Sequence, residues 1–514
     1  SSPAGGADPL WDLRPTVGCE RPCREAPRHG EGPGVDILDI ARWQFGIITV
    51  YHFLFVPLTI GLTALVAGLE TAWVRTRNPD WLRLTRFFGK LMLINFAIGV
   101  VTGIVQEFQF GMNWSDYSRF VGDVFGAPLA IEGLLAFFLE STFLGLWIFG
   151  WDRLPRVLHV ACLWTVHVGT LLSAYFILAA NSWMQHPVGY RYNPTTGRAE
   201  LHDFAAVLFN KVQLVTFPHT VLAAYMTGAG FMLGVAVYLY TRRDTSADDR
   251  TMYRKTLRLS AVVMLVAGLG VAASGDVSGK VMTEVQPMKM AAAEALYHTE
   301  KPASFSLFTV GSLDGSKEEF AVKVPGMLSF LATGSTDGEV QGIDELKAKY
   351  TSTYGQDPGS TYYSAGGYVP VIPVTYWAFR LMIGLGVAGA ALGALVLWVT
   401  RRGRVPAGRR RWVWIAVAMP LLPVFANSFG WLFTEMGRQP WAVFGLMTTA
   451  SAVSPGVGAS EVLTSLVAFT LLYGVLAVVE ISLILRAVRA GAGAVPVEQD
   501  DDIPGADRPL AHAY

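Results

Sequence analysis

Four side chains that can bind iron lie inside long apolar stretches of this sequence. They are His52, His219, Met382 and Glu435. Ionisable groups are costly inside a membrane, so each polar residue in such a stretch is a candidate functional group. Haem iron accepts histidine, methionine and, in some sites, oxygen ligands, and a His/Met pair suits a closed electron-transfer haem. A single ligand leaves a position open for dioxygen, so these residues allow more than one haem.

A second set of polar residues predicts proton transfer. Glu132 and Glu140 lie in one apolar stretch, with Ser141 next to Glu140. Eight residues of α-helix separate the two carboxylates by about 12 Å, which is too far to share one proton but suits successive stations of a relay. Glu107 is a weaker candidate of the same kind. The alternative is that these carboxylates only form hydrogen bonds to neighbouring helices.

Three other residues in apolar stretches are predicted to serve packing. His159 and His167 are expected to be hydrogen-bonded packing residues, because neither has a second candidate ligand at its depth, and Cys162 lies alone in an apolar helix. The chain has no C-x-x-C-H motif for covalent haem attachment. Any cofactor must therefore be held by histidine, methionine or carboxylate side chains.

The elements that position these residues are predicted to be membrane-spanning helices. Of the 514 residues, 52% are hydrophobic and only 16% are charged, and the mean hydropathy is positive. Several apolar segments exceed eighteen residues, which predicts an all-α polytopic membrane protein. No nucleic-acid partner is expected. The nine predicted spans lie near 42–74, 87–110, 125–150, 157–181, 214–241, 257–275, 374–400, 411–436 and 461–486.

Basic residues predict the orientation of the chain. The connections after the first, fifth and seventh spans carry four, five and six Lys or Arg residues, whereas the connections at 111–124 and 436–460 carry one arginine each. Because Lys and Arg are enriched in inside loops, the N-terminus is predicted outside and the C-terminus inside. In this orientation the four candidate iron ligands lie at one level, in the outer half of the bilayer.

Five regions are expected along the chain. The polar segment between the sixth and seventh spans is predicted to lie outside and to begin with a short helix, and loops of this length are usually functional or disordered. The first residues lack the long apolar core of a secretory signal. The regions are 1–34, a disordered leader or non-native extension; 35–275, spans one to six; 276–373, the outside loop; 374–490, spans seven to nine; and 491–514, a disordered cytoplasmic tail.

Motifs in chain order resemble those of subunit I of cytochrome bd quinol oxidase. They are Tyr51–Pro57 (YHFLFVP), Glu107–Phe110 (EFQF), Gly126–Glu132 (GAPLAIE) and Gly430–Trp441, which contains GRQPW. The resemblance covers essentially the whole chain after residue 35, including the nine spans and the long outside loop. The loop is shorter than in the longest members of that family, so the chain resembles the short-loop type.

The resemblance implies three haems. His219 and Met382 would be the axial ligands of a low-spin haem b. His52 and Glu435 would serve a high-spin haem b and a haem d, or a haem b in place of haem d, and which residue serves which haem stays open. Three further residues match positions near the haems. Arg380 and Arg438 match arginines beside haem propionates, and Trp431 matches an aromatic residue in contact with the haem pair; the alternatives are interfacial anchoring and simple packing.

The resemblance also implies a quinol site in the outside loop. Lys289 and Glu294 match residues implicated in quinol oxidation, because a carboxylate can accept a quinol proton and a cation can stabilise the developing anion. The alternative is an ordinary surface pair. The resemblance does not distinguish ubiquinol from menaquinol.

The expected protein is a subunit of a terminal oxidase in the bacterial plasma membrane. It would oxidise quinol at the outer face and reduce dioxygen to water with protons from the inside, beside a subunit II and a small single-helix subunit. Two alternatives stay open. One is a cyanide-insensitive variant with haem b in place of haem d, and the other is a membrane cytochrome or haem sensor without oxidase activity.

Overall fold

Nine long apolar helices dominate the structure, a computed structural model that describes residues 36–312, 315, 317–355, 367–405 and 409–493. Each is long and apolar enough to cross a membrane. Within the described ranges they are α1 (Ile37–Thr76), α2 (Pro79–Met112), α3 (Ser115–Phe149), α4 (Arg156–Gln185), α6 (Lys211–Thr241), α7 (Ala247–Val285), α11 (Ile372–Val399), α12 (Arg409–Gly437) and α13 (Ala459–Ala490). The predicted number of spans is confirmed. The predicted leader, 1–34, and nearly all of the predicted tail lie outside the described residues.

The first helices begin where the sequence supplies caps. The Asp36 carboxylate accepts a hydrogen bond from the Leu38 backbone N–H at the start of α1. At the start of α2, Asn78 accepts from the Asp80 N–H, and Pro79 occupies the first helical position. Such caps satisfy backbone donors that the helix cannot pair internally.

Helix α3 contains a π-helical turn at Glu132–Ala136, which joins Ser115–Ile131 to Phe137–Phe149. The helix begins ten residues before the predicted start at 125, because its first turns are too polar to give a hydropathy signal. Single π-turns often lie at functional sites. This one begins at the candidate relay residue Glu132.

The segment between α7 and α11 is a folded layer. Helix α7 continues to Val285, beyond the predicted end at 275, so the connection starts later than predicted. Its elements are α8 (Pro287–Glu294), β3 (Phe305–Gly311), β4 (Glu318–Val324), α9 (Met327–Thr333) and α10 (Ile343–Tyr354), and β3 pairs antiparallel with β4. Met288 on α8 packs in one apolar cluster with Tyr350, Tyr368 and Trp441.

Strands lie only outside the nine long helices in the described part of the chain. Between α4 and α6, β1 (Tyr190–Asn193) pairs with β2 (Arg198–Leu201), followed by the short helix α5 (Phe204–Leu208). After α12, β5 (Trp441–Val443) pairs with β6 (Met447–Thr448). The all-α prediction therefore holds for the spanning part. Three small β-hairpins lie in the described connections between the long helices.

Helix α6 is the most buried of the nine long helices. Small residues allow its close contacts. A Cβ atom on Gly228 would lie 2.6 Å from the Gly61 Cα atom on α1, and one on Gly230 would lie 2.7 Å from the Met419 carbonyl oxygen on α12. Glycines permit such close backbone contact between membrane helices. They bring the helices that carry His52, His219 and Glu435 together.

Candidate functional site

His219 lies on α6 against the Ser274–Gly275 step of α7. Its Nδ1 atom is 3.0 Å from the Ser274 hydroxyl, and that hydroxyl donates its proton to the Gly270 carbonyl at 2.8 Å. Since the hydroxyl has one hydrogen, it accepts from Nδ1–H, and the Nε2 atom keeps its lone pair. A Cβ atom at Gly275 would lie 3.3 Å from the His219 ring. The ring is thus held in the tautomer that can bind a metal through Nε2.

His52 on α1 has the same arrangement with α2. Its Nδ1 atom is 3.0 Å from the Thr102 hydroxyl, which donates to the Gly99 carbonyl at 3.0 Å. A Cβ atom at Gly103 would lie 3.1 Å from the His52 ring. Both candidate histidines therefore contact a hydroxyl residue followed by glycine. Sequence reasoning missed these hydroxyl–glycine pairs.

Met382 on α11 contacts α12 at the start of the GRQPW-containing segment. A Cβ atom at Gly430 would lie 2.9 Å from the Met382 sulfur, so a side chain there would displace the sulfur. The next residue, Trp431, stacks on Phe53 with ring centroids 5.0 Å apart. Phe53 follows His52 in the chain. The structure thereby brings the helices of three predicted ligands together around Trp431.

Glu435 is held on both carboxylate oxygens. Arg438 donates to Oε2 from Nε at 2.8 Å and from Nη2 at 2.6 Å, and Asn181 donates to Oε1 at 2.9 Å. Arg438 also donates to the carbonyls of Trp441 and Ala442. Four of its five N–H groups are therefore engaged by protein, and one is left for the predicted propionate.

Arg380 and Glu294 form a buried ion pair. The Arg380 Nη2 atom lies 2.7 Å from Glu294 Oε2, and Arg380 Nε donates to the Ser306 carbonyl at 2.7 Å. The guanidinium also lies over the rings of Phe305 and Tyr376. Burial raises the pKa of the Glu294 carboxyl to about 7, against the opposing effect of Arg380. The alternative of a surface pair is wrong for Glu294, which is 2% exposed.

Lys289 is also buried, and it lies apart from Glu294's ion pair. Its Nζ atom donates to the Gln185 side-chain oxygen at 2.6 Å, and its stem covers Gly437. It lies close enough to Glu435 for electrostatic interaction. Burial lowers the pKa of the Lys289 ammonium to about 7. Two groups on one short helix thus titrate near neutrality, which suits proton exchange.

The candidate relay acids lie along α3 against α4. Ser173 donates a 2.7 Å hydrogen bond to Glu132, and a Cβ atom at Gly169 would lie 2.8 Å from the Glu140 side chain. Glu107 and Glu140 both lie within electrostatic range of Glu132. Sequence reasoning missed Ser173, for which no local pattern gave a signal.

Two of the candidate proton-transfer residues lie on the surface of the chain. Glu107 and Ser141 are exposed, whereas Glu140 is buried. The Ser141 hydroxyl is 3.4 Å from the Phe138 carbonyl of its own helix. Ser141 therefore does not share the buried side of α3 with Glu140.

His159 and His167 are hydrogen-bonded packing residues, as predicted. His159 Nδ1 lies 2.5 Å from the Glu70 carboxylate, to which Trp147 also donates at 2.7 Å. His167 contacts the hydroxyls of Thr63 and Tyr225. Both histidines are buried in polar networks that join helices. Cys162 is buried, as predicted.

The donor set fits haem iron. In the described ranges, no three His, Cys, Asp or Glu side chains converge on one point. A bare metal ion usually takes several protein ligands, whereas haem iron receives four from the porphyrin and needs one or two axial ligands. Single histidines with a free Nε2 lone pair, a thioether and a carboxylate supply such ligands.

The family model described as cytochrome bd terminal oxidase subunit I matches residues 40–492. The chain belongs to this family. It is therefore a haem-containing subunit of a terminal respiratory oxidase, a multi-pass protein of the bacterial plasma membrane that acts in a complex with other subunits.

Relatives match over nearly their whole length. The cytochrome bd ubiquinol oxidase subunit 1 of Bacillus subtilis (strain 168) is 45% identical over 92% of this chain and 97% of its own. The cytochrome bd-II ubiquinol oxidase subunit 1 of Escherichia coli (strain K12) is 37% identical over 90% of this chain and 98% of its own. The structure of bd oxidase from Geobacillus thermodenitrificans has a TM-score of 0.78 at 27% identity, covering 89% of this chain and 99% of that chain.

Proposed function

We propose that this subunit oxidises a membrane quinol at the layer between α7 and α11 and reduces dioxygen to water at a haem pair. The observation that carries the proposal is the matched setting of His52 and His219. Each ring gives its Nδ1 proton to a helix-bonded hydroxyl and keeps the Nε2 lone pair for iron. The two relatives above are named for ubiquinol, which supports a quinol as the substrate class.

The ligands are assigned to three haems. His219 and Met382 would hold a low-spin haem b, and His52 and Glu435 would serve a high-spin haem b and a haem d, or a haem b in its place. The haems supply electron transfer and dioxygen reduction. The protein supplies the axial ligands and holds them in place; Arg380 and Arg438 keep N–H groups available for propionates, and a guanidinium fork suits a carboxylate.

Quinol oxidation is assigned to α8. Oxidation of a quinol to a quinone releases two electrons and two protons. The ionised Glu294 carboxylate accepts one proton and solvent at the outer face accepts the other, while Lys289 stabilises the negative charge that develops on a quinol oxygen. The two electrons would pass to the haems. The pKa values of both groups near 7 support this role.

The protons for water formation are assigned to a transfer path through Glu140, Glu132 and Ser173. With the N-terminus outside and the C-terminus inside, quinol protons leave outside and these protons enter from inside. Charge is then separated across the membrane without pumping. A second subunit covering the exposed Ser141 would complete the entrance, and a small single-helix subunit would join the complex.

Quinol-driven oxygen consumption tests the proposal. The purified complex should consume oxygen on addition of a reduced quinol, and Glu140→Gln should slow turnover while haem content stays normal. Oxygen consumption by wild type without any response to quinol would contradict the proposal. The absorption spectrum of the dithionite-reduced complex decides between haem d and haem b at the oxygen site, since a chlorin-type haem absorbs to the red of haem b.

A further inference from the structure

Four side chains form one hydrogen-bonded chain between α8 and the end of α12. Lys289 donates to the Gln185 side-chain oxygen at 2.6 Å. The Gln185 amide donates to the Asn181 side-chain oxygen at 2.8 Å, and the Asn181 amide donates to Glu435 at 2.9 Å. Asn181 and Gln185 are four residues apart on α4, so they lie on one face of that helix.

The ends of this chain fix the direction of every bond in it. A lysine ammonium can only donate, and an ionised glutamate can only accept. If either amide were rotated, two donors or two acceptors would face each other. Gln185 and Asn181 are therefore oriented by Lys289 at one end and by Glu435 at the other.

Gln185 also binds α8 through its backbone. The Gln286 side chain donates to the Gln185 carbonyl at 2.9 Å. Gln286, Lys289 and Gln185 are all buried. The start of α8 is thus attached twice to one residue at the C-terminal end of α4.

At the other end, the two oxygens of Glu435 have different surroundings. Oε2 accepts two hydrogen bonds from Arg438, whereas Oε1 accepts one from Asn181. Oε1 therefore keeps more lone-pair capacity for a metal. Outer hydrogen bonds of this kind orient a ligand and tune the metal it binds.

We propose that Asn181 and Gln185 are positioning residues that couple the quinol helix α8 to Glu435. The proposal rests on the proposed roles of Lys289 in quinol oxidation and of Glu435 as a haem ligand. A substitution of either amide should then alter both the quinol KM and the haem absorption, including the property of the end that the substituted residue does not touch.

The test uses the purified oxidase complex and two substitutions. Asn181→Leu removes the contacts to Glu435 and Gln185 and touches no residue of α8, yet it should raise the quinol KM by roughly three- to tenfold, the factor associated with one hydrogen bond. It should also increase amide hydrogen exchange in α8. Gln185→Leu removes a contact to Lys289, yet it should shift the absorption of the high-spin haem pair.

A conservative variant and a matched control accompany these substitutions. Gln185→Glu can still accept from Lys289 through either carboxylate oxygen but cannot donate to Asn181. Because the link to Glu435 is broken while the contact to Lys289 remains, its quinol KM should rise as in Asn181→Leu and its haem absorption should shift. Ser182→Ala changes a buried polar residue between the two amides, whose hydroxyl contacts Gln213 instead. It should change neither readout.

The coupling is wrong if each substitution affects only the end of the hydrogen-bonded chain that it contacts. If Asn181→Leu changes only the haem absorption and Gln185→Leu changes only the quinol KM, the proposal is wrong while the roles of Lys289 and Glu435 stand. Lys289→Ala and Glu435→Ala test those roles. An unchanged quinol KM in the first, or unchanged haem absorption in the second, would overturn the proposed function at that end and the coupling with it.

Discussion

Gly430→Ala should displace the sulfur of Met382 without altering any ligand chemically. The new Cβ atom would lie 2.9 Å from the Met382 sulfur, whereas ordinary contacts begin at 3.4 Å, so the sulfur must move by about 0.5 Å. Metal–ligand distances are held to within about 0.2 Å. The substitution should therefore weaken or break the bond between Met382 and the low-spin haem.

The measurement is the absorption spectrum of the reduced complex, with Gly384→Ala as a matched control. Gly384 lies on the same helix as Met382, and a Cβ atom there would meet nothing within 4 Å. Gly430→Ala should lose most of the six-coordinate low-spin signal, and Gly384→Ala should keep it. Overpacking would also cost about 1–3 kcal/mol of stability. A wild-type low-spin signal in Gly430→Ala would refute the placement of Met382 as an axial ligand.

Three further substitutions test the hydrogen bonds and ion pairs of the site. Ser274→Ala removes the partner of His219 Nδ1 and should weaken haem retention by about ten- to a hundredfold, measured as haem per protein during dilution; normal retention would contradict the role of the hydroxyl. In wild type, kcat/KM for quinol should rise with pH through about 7, because only the ionised Glu294 carboxylate accepts a proton. Glu294→Gln should lose this rise. If the variant and wild type had the same pH profile, Glu294 would be excluded as the base. His159→Leu leaves Glu70 with one hydrogen-bond partner fewer and should destabilise the complex by about 1–3 kcal/mol, measured as a lower Tm, while the haem spectrum of intact protein stays the same; an unchanged Tm would contradict this role.

The nine helices could be predicted because long apolar runs determine them. Their ends could not be predicted as well. Helix α3 begins at Ser115 and α7 ends at Val285, where polar residues extend each helix beyond its apolar stretch. The layer between α7 and α11 was predicted only as a loop with one short helix. Helix α10 packs against Trp441, and Ser306 of β3 contacts Tyr376 on α11; both partners lie far away in the chain.

The types of the site residues could be read from the sequence, but their partners could not. Asn181, Gln185 and Ser173 lie on a helix that carries none of the predicted ligands, and an interhelical hydrogen bond leaves no local periodicity. Lys289 and Glu294 illustrate the same limit. The sequence predicts both as quinol-site residues, and it gives no sign that each contacts a different residue on a different helix.

The assignment of His219 and Met382 to one low-spin haem is the central claim, and the spectrum of Met382→Leu tests it most directly. The substitution conserves side-chain volume and apolar character but removes the sulfur. The reduced complex should lose the six-coordinate low-spin signal and keep the absorption of both high-spin haems. An unchanged low-spin signal would contradict the assignment.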